Sequence, residues 1–265
     1  MRCHVAFTPA EAAAAPLAIV VDVMRATSTI AQALASGYRR VLCCAEIDDA
    51  LALREELGDE AITGGERDAR RIDAFDAGAS PREFREPRAE TLILSTTNGT
   101  RSIVTAATSC DEVVLGALLN LEAVAGYARS RGEDLIVLCA GYKDVFAIDD
   151  AYCAGRIIRL VEGERTDAAI AAVVVAERFP RAIDGINART YGPPGLEEDI
   201  AWCSQESVLD VVPRFSRMVG PAAEIVCDRD RRAEHPARNE LPGGRALRGR
   251  RVRCVPLVSG SARRA

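Results

Sequence analysis

The chain has 265 residues, 48% of them hydrophobic and 28% charged, with a formal net charge of −5 at pH 7, which predicts a globular protein of one large or two small domains. It contains no run of 18 apolar residues and its first residues do not form a secretory signal, so we expect neither a membrane-spanning helix nor export. The nine cysteines include no Cys-x-x-Cys pair, which predicts reduced thiols in the cytoplasm and argues against zinc or disulfides.

Apolar, β-branched runs alternate along the chain with segments of helical spacing. The runs predict strands at Leu17–Val23, Val41–Cys44, Ala61–Arg67, Thr91–Ser95, Val113–Gly116 and Asp134–Cys139. The other segments predict helices at Ile30–Ser36, Asp48–Leu57, Ile103–Thr108, Leu121–Arg131, Asp149–Val161, over residues 166–179 and after Gly195. Residues 68–90 are polar and contain two prolines, which predicts a long loop. Loops of this length in compact domains are often functional. The alternation predicts a mostly parallel sheet with helices on both faces.

The last part of the chain differs in charge from the rest. Residues 228–265 hold eleven arginines and four acidic residues, a net charge of +7, which leaves −12 for residues 1–227. We therefore expect a folded domain at 1–227 and a basic, Arg/Pro/Gly-rich, partly disordered tail at 228–265. A basic tail on an acidic body can bind nucleic acid. A solvated appendage is the favoured interpretation, so nucleic acid is not an expected partner.

Two strand-to-helix junctions carry the polar residues that point to a function: Asp22-Val-Met-Arg-Ala-Thr-Ser-Thr29 and Ser95-Thr-Thr-Asn-Gly-Thr-Arg101. Free backbone N–H groups at helix starts attract phosphate, and hydroxyl or amide side chains add donors in the same place. A carboxylate suits Mg²⁺, and an arginine makes bidentate contacts with phosphate. Candidate residues for these roles are Asp22, Arg25, Thr27, Ser28, Thr96, Thr97, Asn98, Gly99 and Thr100.

Other acidic residues follow predicted strands at the same edge of the sheet. In open α/β sheets, ligands bind outside the carboxyl ends of the strands. Asp22, Glu66, Thr96 and the pair Asp149–Asp150 all lie there, so we expect them to converge although they are far apart in sequence.

Each candidate also has a structural interpretation that the sequence leaves open. Asp22 suits a helix cap, and Arg25 suits a salt bridge to Asp22. The Asn-Gly pair at 98–99 suits a turn. The other two alternatives are a surface ion pair at Glu66–Arg67 and a plain helix start at Asp149–Asp150.

Most of residues 5–213 resembles the magnesium-dependent 2-phosphosulfolactate phosphatases of coenzyme M biosynthesis. The matching stretches are Phe7–Glu11, Asp22–Ile30, Gly64–Arg67, Phe75–Phe84, Ser95–Arg101, Leu119–Asn120, Cys139–Gly141, Asp149–Gly155, Glu197–Cys203 and Asp210–Pro213. The resemblance implies a three-layer α/β/α fold with a mostly parallel or mixed sheet. It also implies Mg²⁺-dependent hydrolysis of 2-phospho-3-sulfolactate to 3-sulfolactate and phosphate. Ala79 departs from the family pattern, where we expect asparagine.

This resemblance and the junction residues together give a hypothesis for the site. Asp22 would bind the metal or attack phosphorus, with Glu66, Asp149 and Asp150 as further metal ligands. Arg25 and Arg67 would balance charge, and Arg82 and Arg101 would bind the acid groups of the substrate. The phosphate-binding residues would be Thr27, Ser28, Arg67, Ser80, Thr96, Thr97, Asn98, Gly99 and Thr100.

Two other functions stay open at this stage. One is a phosphatase acting on another small phosphorylated hydroxy acid, such as phospholactate or phosphoglycerate. The other is a non-catalytic protein that binds a phosphate ligand, or nucleic acid through residues 228–265. We expect a small phosphorylated acid as partner, no membrane, and a homodimer by default, because symmetric pairs are the commonest assemblies.

Overall fold

The computed structural model describes residues 1–190 and 194–227, so the predicted tail at 228–265 lies outside the described residues. The strands are β1 Arg2–Ala6, β2 Leu17–Val21, β3 Arg40–Cys43, β4 Ala61–Arg67, β5 Arg70–Arg71, β6 Thr91–Ser95, β7 Glu112–Gly116, β8 Leu135–Cys139, β9 Glu164–Arg165, β10 Arg214–Val219 and β11 Ala222–Val226. The α-helices are α1 Ala26–Ser36, α2 Ile47–Leu57, α3 Gly99–Ser109, α4 Leu121–Arg131, α5 Ile148–Leu160, α6 Asp167–Arg178, α7 Ala182–Asn187 and α8 Glu197–Cys203.

The strands form a mixed, mostly parallel sheet of order β5-β4-β6-β3-β11-β10-β7-β2-β8-β1-β9. Strands β4, β6 and β3 form one parallel set, and β7, β2, β8, β1 and β9 form a second. The antiparallel hairpin β10–β11 joins the sets, because β11 pairs with β3 and Arg214 of β10 pairs with Val114 of β7. Helices cover both faces. The predicted three-layer α/β/α fold is confirmed.

The two central strands of the second set are buried along their whole length. All five residues of β2 and all five of β8 are shielded from solvent. Their continuous apolar runs are typical of strands that helices cover on both faces. One cluster packs these strands against α4, α5 and α6, and a separate cluster packs β3 and β6 against α2.

Helices α1 and α3 tie the two parallel sets together. Ile30 of α1 and Ile103 of α3 share one core with Val20 of β2 and Leu94 of β6. Their first turns also touch, because a methyl group added at Gly99 would overlap the Cβ atom of Ala26. The two polar junctions are therefore in contact. This agrees with the sequence prediction, because both junctions follow parallel strands.

Every predicted strand and helix is present, but two boundaries differ in a way that matters. Helix α1 begins at Ala26 instead of Ile30, and α3 begins at Gly99 instead of Ile103. Apolar periodicity marks only the buried face of a helix, so it misses a first turn made of small polar residues. Residues 27–28 and 99–100 therefore lie inside helices and not in loops.

Several elements have no prediction in the sequence analysis: β1, β9, β10, β11 and α7. Strands β10 and β11 are joined by a turn at Gly220, and their pairing register is irregular between Phe215 and Arg217. Strand β10 is largely exposed, so it lacks the apolar run that marks the central strands. The expected loop at 68–90 contains only the short β5 and a 3-10 helix at Pro81–Phe84.

The close contact between α5 and α6 supplies a test of the packing. A methyl group at Gly155 would overlap the carbonyl oxygen of Ala172, whereas at Gly126 of α4 its nearest neighbour would be the flexible end of Arg129, 3.6 Å away. We expect Gly155→Ala to lower the free energy of unfolding by about 2 kcal/mol or more, because overpacking strains a buried backbone contact.

The matched control is Gly126→Ala, which should raise the free energy of unfolding by about 0.5–1 kcal/mol through helix propensity. Urea denaturation measures both values. Equal effects of the two substitutions would contradict the proposed contact between α5 and α6.

Candidate functional site

A pocket lies where β2, β4 and β6 end. The pocket and its mouth together enclose about 530 Å³ of space, which includes open solvent. It brings together residues from both junctions, from the turn after β4 and from the segments around α7 and α8. The lining residues are Asp22, Met24, Arg25, Glu66, Asp68, Ala69, Ala79, Thr96, Thr97, Asn98, Tyr142, Arg189 and Leu196. Asp22, Glu66 and Thr96 therefore converge as predicted.

Asp22 is a buried carboxylate beside the first turns of α1 and α3. Its Oδ1 accepts a hydrogen bond from the Ala26 N–H at 3.2 Å, and Oδ2 lies against Gly99. Burial is the main cause that raises the pKa of Asp22 to about 7; the hydrogen bond from the Ala26 N–H opposes it, and the charges of Glu66 and Asp149 add to it. Asp22 thus caps α1 with one oxygen and also presents a carboxylate to the pocket.

Glu66 connects the end of β4 to the second junction. Its Oε1 accepts a hydrogen bond from the Thr97 N–H at 2.7 Å, and its Oε2 accepts one from the Ala69 N–H at 2.6 Å. The alternative of a surface ion pair with Arg67 does not hold. The Arg67 guanidinium donates to carbonyl oxygens of Glu66 and Ala45 and to Ser95 Oγ, and it does not line the pocket.

The second junction is both a helix start and a pocket wall. The hydroxyls of Thr96 and Thr100 accept hydrogen bonds from each other's N–H groups at 3.2 and 3.3 Å, which fixes the first turn of α3. Asn98 Oδ1 accepts a hydrogen bond from the Lys143 N–H at 3.0 Å. Thr96, Thr97 and Asn98 line the pocket, whereas Gly99 and Thr100 do not.

The hydroxyls predicted to bind phosphate in the first junction turn back to the backbone. Thr27 Oγ1 donates to the Asp22 carbonyl at 2.9 Å, and Ser28 Oγ donates to the Val23 carbonyl at 2.8 Å. Both side chains are fully buried and neither lines the pocket. The prediction placed them in a loop, but in the structure they belong to the first turn of α1, where they hold the preceding chain.

Arg25 is held by a partner to which the sequence analysis gave no role. Its guanidinium donates to Asp199 Oδ2 at 2.6 Å and to the Ala69 carbonyl at 3.3 Å, with only 9% of the side chain exposed. Ser80 Oγ donates to the other oxygen of Asp199 at 2.5 Å, so Ser80 does not line the pocket. Asp199 belongs to the quoted stretch Glu197–Cys203, which was the only signal for it. The alternative interpretation, a salt bridge to Asp22, does not hold, because Arg25 pairs with Asp199.

The pair Asp149–Asp150 begins α5 and does not line the pocket. Asp150 accepts hydrogen bonds from the N–H groups of Val23 at 2.9 Å and Gly141 at 3.0 Å, which ties the end of β2 to the end of β8. Asp149 Oδ1 accepts from the Asp150 N–H at 3.1 Å. Burial, together with the charges of Asp149 and Asp22, raises the pKa of Asp150 well above its ordinary value.

The predicted set of four metal ligands therefore narrows. Among the described residues, no three His, Cys, Asp or Glu side chains are grouped at the spacing of a metal site. Only Asp22 and Glu66 of the four line the pocket. Two carboxylates still suit Mg²⁺, because this ion usually keeps several waters and takes one or two protein carboxylates.

An ion pair closes one side of the pocket mouth. Lys143, the only lysine of the chain, lies 2.6 Å from Asp68 Oδ1. The ion pair lowers the pKa of Asp68 and raises that of Lys143. Arg82 and Arg101, expected to bind the acid groups of a substrate, instead pair with Glu198 at 2.6 Å and Glu46 at 3.1 Å and do not line the pocket.

Comparison of the sequence with known proteins identifies the family of the chain. The family model described as 2-phosphosulpholactate phosphatase matches residues 4–217. The chain belongs to the 2-phosphosulpholactate phosphatase family. A protein of Clostridium perfringens (strain 13 / Type A) named "Probable 2-phosphosulfolactate phosphatase" is 36% identical over 212 residues, covering 75% of this chain and 85% of the relative.

Two further relatives carry the same name. That of Clostridium acetobutylicum is 35% identical over 219 residues, covering 75% of this chain and 89% of its own length. The relative from Symbiobacterium thermophilum is 34% identical over 221 residues, covering 78% of this chain and 94% of its own length. The family match ends before residue 228 and includes every residue that lines the pocket. In the described part of the chain, no helix is long and apolar enough to cross a membrane.

The raised pKa of Asp22 predicts how stability depends on pH in metal-free protein. The folded state keeps a proton on Asp22 up to about pH 7, whereas a free aspartate has a pKa of 3.8. Because the folded state binds the extra proton, stability falls as pH rises between these values, by up to about 1.4 kcal/mol per pH unit. Asp22→Asn removes this proton, so its free energy of unfolding should fall less steeply over this range.

Urea denaturation in EDTA, repeated across this pH range, measures both slopes. Asp144→Asn, at an exposed turn residue, is the matched control and should keep the slope of the unmodified protein. Identical slopes for Asp22→Asn and the unmodified protein would show that Asp22 is ionised throughout.

Proposed function

We propose that the chain is a Mg²⁺-dependent phosphatase that hydrolyses the phosphate ester of a small 2-hydroxy acid. The first candidate substrate is 2-phospho-3-sulfolactate, which would yield 3-sulfolactate and phosphate. Family membership over residues 4–217 supports phosphoric monoester hydrolysis. The pocket supports a small charged substrate, because it combines three acidic groups, two guanidinium groups and a polar helix start.

The observation that carries the proposal is the placement of Asp22. Its carboxylate lies at the start of two helices, across the pocket from Glu66 and beside Arg25. Phosphoryl transfer depends mainly on positioning and charge neutralisation. Arg25, held by Asp199, would orient a phosphoryl oxygen, and the polar groups of residues 96–98 would bind the others.

The residues around Asp22 fit a magnesium ion. Burial raises the pKa of Asp22 most and the charges of Glu66 and Asp149 raise it further; a divalent cation beside these carboxylates would compensate their negative charge. Asp22 would hold the ion, with Glu66 as the second carboxylate. The bound ion would withdraw charge from the phosphoryl oxygens and activate water. In the alternative role, a carboxylate oxygen of Asp22 would attack phosphorus as the ester oxygen leaves with the hydroxy acid, and water would then hydrolyse the aspartyl phosphate to free Asp22 and phosphate.

The choice of substrate among phosphorylated hydroxy acids rests on the family name of the relatives. Phospholactate and phosphoglycerate share the phosphate ester next to a carboxylate, so the same pocket fits them. A place in coenzyme M biosynthesis follows only if 2-phospho-3-sulfolactate is the preferred substrate. Comparing kcat/KM over this panel of 2-phospho acids decides the point.

Replacement of Asp22 tests the proposed chemistry. We expect Asp22→Asn to lower kcat by about a thousandfold or more, because it removes the charge that would hold the metal or attack phosphorus. Steady-state phosphate release with 2-phospho-3-sulfolactate measures the loss. The matched control Asp144→Asn changes an exposed carboxylate outside the pocket and should keep activity within about twofold. Near-normal turnover by Asp22→Asn would rule out both roles.

Metal removal tests the cofactor separately from turnover. We expect EDTA to abolish activity and added Mg²⁺ to restore it. Mg²⁺ should also raise the melting temperature at pH 8, because an ion that binds only the folded state stabilises it. Asp22→Asn should lose this thermal shift while Asp144→Asn keeps it. Full activity in EDTA, or an unchanged shift in Asp22→Asn, would contradict a magnesium site at Asp22.

A further inference from the structure

We propose that Arg189 binds the second acid group of the substrate, the carboxylate or sulfonate that accompanies the phosphate ester. This inference rests on the proposed function and names the residue that selects acidic substrates within it. Arg189 follows α7 and lines the pocket, and its side chain is partly buried. The sequence analysis gave it no role.

Within the part of the chain that the structure describes, no carboxylate pairs with Arg189. The other guanidinium of the lining, Arg25, is paired with Asp199 at 2.6 Å. The Asp68 carboxylate at the mouth is paired with Lys143 at 2.6 Å. Within residues 1–190 and 194–227, no carboxylate and no carbonyl oxygen accepts a hydrogen bond or ion pair from Arg189. A partly buried cation in a pocket is stabilised by a counter-ion, which the bound ligand would supply.

The position of Arg189 separates its task from phosphate binding. The candidate phosphate wall consists of residues 96–98 at the start of α3, together with Asp22. Arg189 belongs instead to the segment between α7 and α8, together with Leu196. A ligand with a second anionic group would contact both segments, with its phosphate at residues 96–98 and the second group at Arg189. A 2-phospho acid has such a group two bonds from the ester oxygen.

The chemistry of the side chain fits this group. A guanidinium presents parallel N–H donors that match the two oxygens of a carboxylate, and it donates equally well to a sulfonate. Arg82 and Arg101 cannot share the role from their present positions, because both pair with glutamates outside the pocket. Among the arginines that line the pocket, Arg189 is thus the one available to an acid group.

The test compares substrates with and without the acid group. The variants are Arg189→Gln and Arg189→Lys, with Arg159→Gln, an exposed arginine of α5, as the matched control. We expect Arg189→Gln to lower kcat/KM for 2-phospho-3-sulfolactate by about tenfold or more, mainly through KM. With p-nitrophenyl phosphate, which has no acid group, the change should stay within about twofold. Arg189→Lys should fall between, because it keeps the charge and loses the paired donors.

Calorimetric titration with 3-sulfolactate provides a readout without phosphate. We expect Arg189→Gln to weaken its binding about tenfold and Arg159→Gln to leave it unchanged. Equal losses with both phosphate esters would assign Arg189 to the phosphoryl group and overturn the inference, as would no loss with either. If the unmodified protein hydrolyses none of the 2-phospho acids, the proposed function fails instead, and the titration still decides whether Arg189 binds an acid group.

Discussion

The contact between the first turns of α1 and α3 around Asp22 is the constraint on which the site depends. Gly99 makes it possible, because any side chain there would overlap Ala26 and the Asp22 carboxylate. This approach places the polar ends of two helices, which follow strands of different parallel sets, at one point. The shape of the pocket, the position of the candidate phosphate wall at residues 96–98 and the burial of the Asp22 carboxylate all depend on this close approach of the two helices.

Acidic side chains hold this arrangement together by accepting hydrogen bonds from distant backbone segments. Glu66 joins the β4–β5 turn to the second junction, and Asp150 joins the loops after β2 and β8. Asp199 joins Arg25 to Ser80. Carboxylates make strong acceptors for such ties, but burying several of them near one another concentrates negative charge. Burial is the main cause of the raised pKa of Asp22, and the charges of Glu66 and Asp149 add to it.

The rim of the pocket complements this acidic centre. The Asp68–Lys143 pair neutralises a carboxylate at the mouth, where an uncompensated charge would repel an anionic substrate. Arg25, which is paired with Asp199, and Arg189 bring two guanidinium groups to the pocket that also holds the carboxylates of Asp22, Glu66 and Asp68. Members of the 2-phosphosulpholactate phosphatase family that change these rim residues are therefore expected to differ in substrate preference before they differ in reaction type.

The sequence alone determined the α/β architecture, the two polar junctions and the convergence of Asp22, Glu66 and Thr96, because apolar periodicity and strand ends are local properties. It could not determine which polar atoms face the pocket. Thr27, Ser28 and Asp150 have suitable chemistry, yet their oxygens bind backbone groups inside the fold. Asp199 and Arg189 come from the last third of the chain, and neither follows a strand end of the kind that identified Asp22. Side-chain direction and partners depend on contacts between residues far apart in the chain, and only the tertiary structure decides these.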